Sequence, residues 1–266
     1  MLIAQISDCH IVEPGATMAD RVDPTPGLQA AVAYLNSLGE SVDLVIGTGD
    51  LVNDGTARQY DQLEAVLEPL DAPFLAVPGN HDDRAELRAR FDLPGGGIDD
   101  PIDHVIGYEG GVPLVCLDTL RPGHHDGHLT DEQLDWLDRT LADTAPTPTL
   151  VVQHHPPFLS GLASMDRYRL DAIEAEADVL ARHPHVLAVI AGHYHRPIHR
   201  TVGGTVGFAC PSTAVQLAPR LGPGPTTYSS DPPALALHAI DGHDIATHVV
   251  QLVDGERWIP SWETTD

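Results

Sequence analysis

Three short apolar runs, residues 2–6, 43–48 and 74–77, each stop at side chains suited to coordination or acid–base work. The first leads into Asp8-Cys9-His10, the second into Gly49-Asp50 and the third into Gly79-Asn80-His81-Asp82. Between them lie helical stretches. Residues 27–38 place Leu28, Val32 and Leu35 at helical spacing. A second helix starts at Thr56, a natural N-cap, carries Leu63, Val66 and Leu67, and stops near Pro69. Strands alternating with helices predict a parallel sheet with right-handed crossovers. Ligands gather beyond the carboxyl ends of such strands, where Asp8, Asp50 and Asn80 all fall.

The middle of the chain changes rhythm. Residues 104–109 and 112–118, split by Gly110-Gly111, predict a β-hairpin. Thr130 caps a helix with Leu134, Leu137 and Leu141 on one face. A strand over 150–153 runs into His154-His155, a helix covers 173–182, and a strand over 186–191 leads to Gly192-His193-Tyr194-His195. In an extended segment His193 and His195 project to the same side, and Gly192 lets the backbone turn tightly. Alternating runs at 199–202, 205–209, 234–240 and 245–251 suggest an antiparallel second sheet. Residues 219–233, rich in Gly, Pro, Ser and Thr, read as a flexible loop insertion and a candidate lid. No repeat or boundary divides the chain, so 1–266 is expected to be one domain.

Charge narrows the partners. Fourteen Lys+Arg, all of them arginine, face 39 Asp+Glu, for a formal net charge of −25. Such a surface repels nucleic-acid backbones and anionic membranes, so neither is an expected partner. A phosphate ester needs a local reversal of sign, which divalent cations supply. Three widely spaced cysteines, Cys9, Cys116 and Cys210, imply no disulfide framework. With no basic leader and no apolar stretch of about 18 residues, a cytoplasmic protein is expected.

The donor chemistry is specific. Neutral imidazole suits transition metals, and a carboxylate such as Asp50 has two oxygens with which to bridge two cations. Asn80 adds a weaker amide oxygen. Cys9 alternates away from Asp8 and His10 and is not expected to ligate. His155 points away from His154, so only one of the pair is expected at a metal. The loop with His124, His125 and His128 lacks strand-end placement and reads as solvated.

The ordered set Asp8-x-His10, Gly49-Asp50-x-x-Asn53, Gly79-Asn80-His81-Asp82, His154-His155-Pro156 and Gly192-His193-x-His195 resembles the calcineurin-like metallophosphoesterases. Gly127-His128-Leu129-Thr130, leading into Leu134-x-Trp136-Leu137, and Pro211-Ser212-Thr213 are similar to the bacterial branch of class III cyclic-nucleotide phosphodiesterases and glycerophosphodiesterases. The resemblance implies an α/β fold, a four-layer α/β/β/α sandwich with two mixed sheets. It implies two divalent cations, Mn, Fe or Zn. One would be held by Asp8, His10, Asp50 and His195, the other by Asp50, Asn80, His154 and His193. It implies hydrolysis of small phosphodiesters, cyclic nucleotides such as cAMP or glycerophosphodiesters, by a metal-generated hydroxide. His81 is the expected non-ligand catalytic residue, with Asp82 to orient it. Asn53 and Tyr194 are expected substrate contacts, and specificity is expected from loops near Asp54, 160–169 and 219–233. A homodimer is also suggested. The rival readings are a phosphomonoesterase on the same fold and a non-catalytic metal-binding scaffold.

Overall fold

Leu2–Ile6 (β1), Leu44–Thr48 (β2) and Phe74–Val77 (β3) pair in parallel. Thr25–Ser37 (α1) and Ala57–Leu67 (α2) make the crossovers. α1 buries Leu28, Ala31, Val32 and Leu35 along one stripe, while the Thr56 hydroxyl accepts from the Gln59 N–H to cap α2. This computed structural model describes all residues except 95, 98–99, 108–110, 254, 256–257 and 261–266. The third crossover holds a helix the sequence reading lacks, Arg84–Phe91 (α3). Asp83 caps it by accepting from the Glu86 N–H, a signal masked by its position directly behind the Asn80-His81-Asp82 cluster.

The second half begins with an antiparallel pair, His104–Ile106 (β4) and Leu114–Cys116 (β5), so the predicted hairpin strands are present; part of its turn lies outside the described residues. Asp131–Thr144 (α4) opens with a capping box between Thr130 and Gln133. Thr149–Val152 (β6), Ile173–Leu180 (α5) and Val186–Ala191 (β7) follow. The C-terminal strands are Ile198–Val202 (β8), Thr205–Ala209 (β9), Gln216–Leu217 (β10), Tyr228–Ser229 (β11), Ala234–Asp241 (β12) and Asp244–Gln251 (β13).

Apart from the two-stranded antiparallel β10–β11 ladder, these late strands do not form a sheet of their own. β9 lies parallel to β7 and carries β8 on its outer edge, giving a six-stranded sheet in the order β4-β5-β6-β7-β9-β8. β12 lies antiparallel to β1 and carries β13, completing a five-stranded sheet in the order β13-β12-β1-β2-β3. The open edges of β1 and β7 present unpaired backbone groups, and the C-terminal runs cover both. Both sheets are therefore mixed.

Side-chain alternation sets the layers. Leu114, Cys116, Leu150, Val152, Ala188 and Ile190 pack in one core with Ile3, Ile46 and Val77, face to face between the sheets. Val115, Val151 and Val189 point the opposite way and pack with Leu137, Leu141, Val179 and Leu180 of α4 and α5. α1 and α2 close the far side of the first sheet with Leu28, Leu35 and Leu63. A buried ion pair ties the halves together: Arg84 Nε donates to Asp118 Oδ2 at 2.6 Å, and Arg84 Nη2 donates to Leu120 O at 2.6 Å. No helix among the described residues is long and apolar enough to cross a membrane.

Candidate metal centre

The carboxyl ends of β1, β2, β3, β6 and β7 open onto one cavity. The loops beyond β1 and β2 stay laced together, with the Asp8 N–H donating to Gly49 O at 3.0 Å and the His10 N–H to Asp50 O at 2.9 Å. Asp8, His10, Asp50, His154, His193 and His195 are all buried. Asp8, His10, Asp50, His193 and His195 adopt left-handed backbone, with φ of +50°, +44°, +50°, +69° and +46°. Non-glycine residues avoid that region, and concentration of such strain is a mark of functional sites. This corrects the route by which His193 and His195 come together. They do not alternate along an extended strand; successive left-handed turns aim both rings into the cavity.

Gly192 is needed for room. A Cβ there would lie 2.1 Å from Ser7 Oγ and 2.9 Å from Asp8 Oδ2. Gly79 is equally confined, since its Cβ would meet Asp50 N at 2.2 Å. The ligand loops thus pass at backbone contact distance.

Hydrogen bonds fix which nitrogen of each imidazole faces inward. His154 Nδ1 pairs with Thr48 O at 2.8 Å, His195 Nδ1 with Val215 O at 2.8 Å and His193 Nε2 with Tyr168 O at 3.0 Å. A carbonyl only accepts, so each of these nitrogens carries the proton and the opposite one is left as a donor to a metal. His10 differs, because its Nδ1 is buried without a partner among the described residues. The inward atoms crowd together. His195 Nε2 lies 3.2 Å from both Asp8 Oδ1 and His10 Nε2. Asp50 Oδ2 lies 3.7 Å from His10 Nε2 and 3.4 Å from His154 Nε2, between the two groups. Asn80 Oδ1 is 3.2 Å from His154 Nε2.

Electrostatics agree with this donor set. Burial alone would raise the Asp50 carboxyl, but His154 and His81 hold it well below the usual carboxylate range. Burial keeps His10 and His193 neutral, with pKa values pushed down to about 3. Burial also works against protonation of His154, yet the Asp50 carboxylate outweighs it and lifts that ring to about 9. Two anionic carboxylates face these imidazoles, and His10 Nε2 and His195 Nε2 lie 3.2 Å apart, a set of oxygen and nitrogen donors suited to a cation.

The sequence profile of the calcineurin-like phosphoesterases matches residues 1–197. The chain belongs to that family. A probable cyclic nucleotide phosphodiesterase of Synechococcus is 36% identical over 218 residues, 80% of this chain and 81% of the relative. A probable glycerophosphodiester phosphodiesterase of Arcobacter nitrofigilis is 31% identical and covers 90% and 88% of the two chains. A 3′,5′-cyclic adenosine monophosphate phosphodiesterase of Escherichia coli is 31% identical over 82% of this chain and 78% of its own. A dimetal phosphatase from Danio rerio shares the fold with a TM-score of 0.67 at 18% identity, over 95% of this chain and 99% of its own. The His and Asp clusters are suited to a binuclear metal site, as in the dimetal phosphatase, with the identity of the metals open.

Other sequence expectations need correction. Tyr194 does not reach the cavity. It is fully buried beside Phe158, and its hydroxyl donates to Phe158 O at 2.8 Å. Asn53 contributes its backbone, whose carbonyl pairs with His81 Nδ1 at 2.6 Å. Asp82 does not orient the His81 ring. Its carboxylate accepts from the N–H groups of Gly79 and Leu51 and from the Tyr60 hydroxyl, clipping the β3 loop to the β2 loop. Burial first, and then the Asp50 charge, raises its carboxyl to about 6. Asp54 pairs with Gln59 rather than facing the cavity. His155 has both nitrogens engaged, with Thr119 Oγ1 at 2.8 Å and His125 O at 3.2 Å, although its ring lies 4.5 Å from that of His193.

His125, read from the sequence as part of a solvated loop, is corrected by the structure. It lines the cavity, with its ring 5.5 Å from that of His81 and its Nδ1 3.4 Å from Asn80 Nδ2. Its signal was indirect: β5 is parallel to β6, so the chain leaving β5 also arrives at the carboxyl edge. Met165, Arg167, Tyr168, Thr226 and Tyr228 complete the walls of this space of about 320 Å³. A shallower groove of about 620 Å³ along Met1, Asp43 and Ile245 holds none of this donor chemistry.

Proposed function

We propose that the protein is a metal-dependent phosphodiesterase acting on small diesters, of the kind named for its cyclic-nucleotide and glycerophosphodiester relatives. The observation that carries this is the convergence of Asp8, His10, Asp50, Asn80, His154, His193 and His195 from both sheets, with Asp50 Oδ2 lying between the two groups. In this reading Asp8, His10, Asp50 and His195 hold one cation, and Asp50, Asn80, His154 and His193 hold the other. Bound divalent cations supply Lewis acidity to the phosphoryl oxygens and lower the pKa of a water toward about 7.

The chain's own groups supply the rest. The His81 N–H donates to Asp50 Oδ1 at 2.8 Å, so one carboxylate oxygen is fixed by the backbone and Oδ2 stays turned toward the imidazoles. His81 Nδ1 is held by Asn53 O, which leaves Nε2 as the ring atom free for proton transfer; in the imidazolium form it would give its Nε2 proton to the departing alkoxide and revert to neutral imidazole. Its ring stands 4.8 Å from that of His10, edge to face, at the wall of the cavity. A small diester rather than a nucleic-acid strand is supported by the net charge of −25 around a recessed site. The reading extends to a cytoplasmic location and a homodimer, the latter open to sedimentation analysis.

Turnover of bis(p-nitrophenyl) phosphate by Mn-, Fe- and Zn-loaded protein, set against p-nitrophenyl phosphate, tests this. Preference for the diester is expected. Preference for the monoester assigns a phosphatase instead, and inertness with both metals bound assigns a scaffold.

A further inference from the structure

The cavity above the metal centre has walls that hydrolysis alone does not explain. Tyr168 stands edge-on to His125 at 5.6 Å, and the Arg167 guanidinium lies over its ring at 4.7 Å, so this wall is aromatic and cationic. That wall is fastened to the floor where His193 Nε2 donates to Tyr168 O. Tyr228 stands by the other end of the floor, its ring 6.3 Å from that of His195. It is 44% exposed, and its hydroxyl has no hydrogen-bond partner among the described residues.

Tyr228 is held in place by backbone. It pairs with Leu217 in the β10–β11 ladder, and the Leu217 N–H donates to His195 O at 3.3 Å. Asp50 is the one carboxylate among the cavity residues described, in a chain of net charge −25. These walls offer aromatic faces, a guanidinium plane and the Met165 thioether, with Thr226 as the one hydroxyl of a short side chain. The volume, about 320 Å³, falls at the small end of the ~300–1,000 Å³ typical of small-molecule sites.

Resting on the phosphodiesterase reading, we infer that this cavity selects diesters carrying a flat heteroaromatic group such as a purine base, with Tyr228 as the specificity-determining residue whose ring covers one face of it.

The test follows adenosine, which has the base but no phosphorus, by titration calorimetry. It also measures turnover of cyclic AMP and of glycerophosphoethanolamine by the Mn-loaded enzyme. Tyr228→Phe is expected to bind adenosine as wild type does. Tyr228→Ala is expected to weaken it about tenfold or more, the usual worth of one base–aromatic contact. The ratio of kcat/KM for cyclic AMP over glycerophosphoethanolamine should fall by a similar factor, through KM. Tyr228→Leu keeps bulk without a π face, and with an unchanged melting profile it should behave as the alanine variant does. Diester turnover by wild type without adenosine binding, or a ratio that Tyr228→Ala and Tyr228→Leu leave unmoved, overturns the inference and leaves the phosphodiesterase reading standing. A wild-type enzyme inert toward every diester removes that reading, and this inference with it.

Discussion

The floor and the walls of the cavity are built on opposite principles. Asp8, His10, Asp50, His193 and His195 of the floor are buried and bent into left-handed backbone. Thr48 O pins His154 there and Val215 O pins His195, both carbonyls distant in the chain. The walls come from the segment around Met165–Tyr168 and from the excursion between β10 and β11, and Tyr228 is 44% exposed. Strain and burial are tolerated where donor atoms must not move, and adaptable side chains are used where a substituent must be recognised. Floor substitutions should therefore abolish chemistry, whereas wall substitutions should redistribute preference.

The largest effect belongs to the shared carboxylate. Removing the metals with a chelator should abolish diester turnover, and Asp50→Ala should lower kcat well beyond the roughly 10–100-fold seen for outer-shell partners of metal ligands. Metal analysis of the variant should show lost stoichiometry; full metal content with full activity would break the distinction at its root. Next comes His81→Ala, expected to cost about 10²–10⁴ in kcat while the metal content holds. Wild-type turnover in that variant would withdraw His81 from proton transfer.

Gly192→Ala probes confinement without replacing a candidate ligand side chain. The added Cβ would fall 2.1 Å from Ser7 Oγ and 2.8 Å from Thr48 O. Overpacking at such a site should cost about 1–3 kcal/mol of stability, read from denaturant melts, together with weakened metal binding. The smallest effect is a gain. Glu176 on α5 is buried beneath the floor, and burial raises its carboxyl to about 8 against the offset of the Gln153 amide. A carboxyl with a folded pKa above its unfolded one binds more protons when folded, so stability declines as pH rises from about 4.5 to 8. Glu176 Oε1 and Gln153 Oε1 both lack partners among the described residues, and Glu176→Gln supplies a permanent donor there. Its melting temperature should exceed that of wild type by a few degrees at pH 8 and match it near pH 5. A parallel pH dependence in the two proteins would count against the protonated carboxyl.

Much of the floor was legible because its chemistry is local. An apolar run followed by Asp8, Asp50 or Asn80 shows both the strand and its payload, and the parallel rhythm places the strand ends on one edge. What local sequence could not show is the left-handed path, and Tyr194 marks the cost. Alternation turns it away from the ligands toward solvent or substrate, whereas the chain between His193 and His195 folds it into the Phe158 contact. His125 was hidden because its loop belongs to β5, whose parallel alignment with β6 is a long-range property. The split of β8–β9 and β12–β13 between two sheets was hidden for the same reason, since an alternating run fits any open edge.

The donors straddle a seam. Asp8, His10, Asp50 and Asn80 ride on the five-stranded sheet, while His154, His193 and His195 ride on the six-stranded one. Under the proposed ligand assignment, cations gripped from both sides would act as rivets through the sandwich, their occupancy adding directly to the free energy that keeps the sheets docked. For such a molecule, metal supply governs lifetime as well as rate: a starved cell would hold copies that are both idle and easier to pull apart.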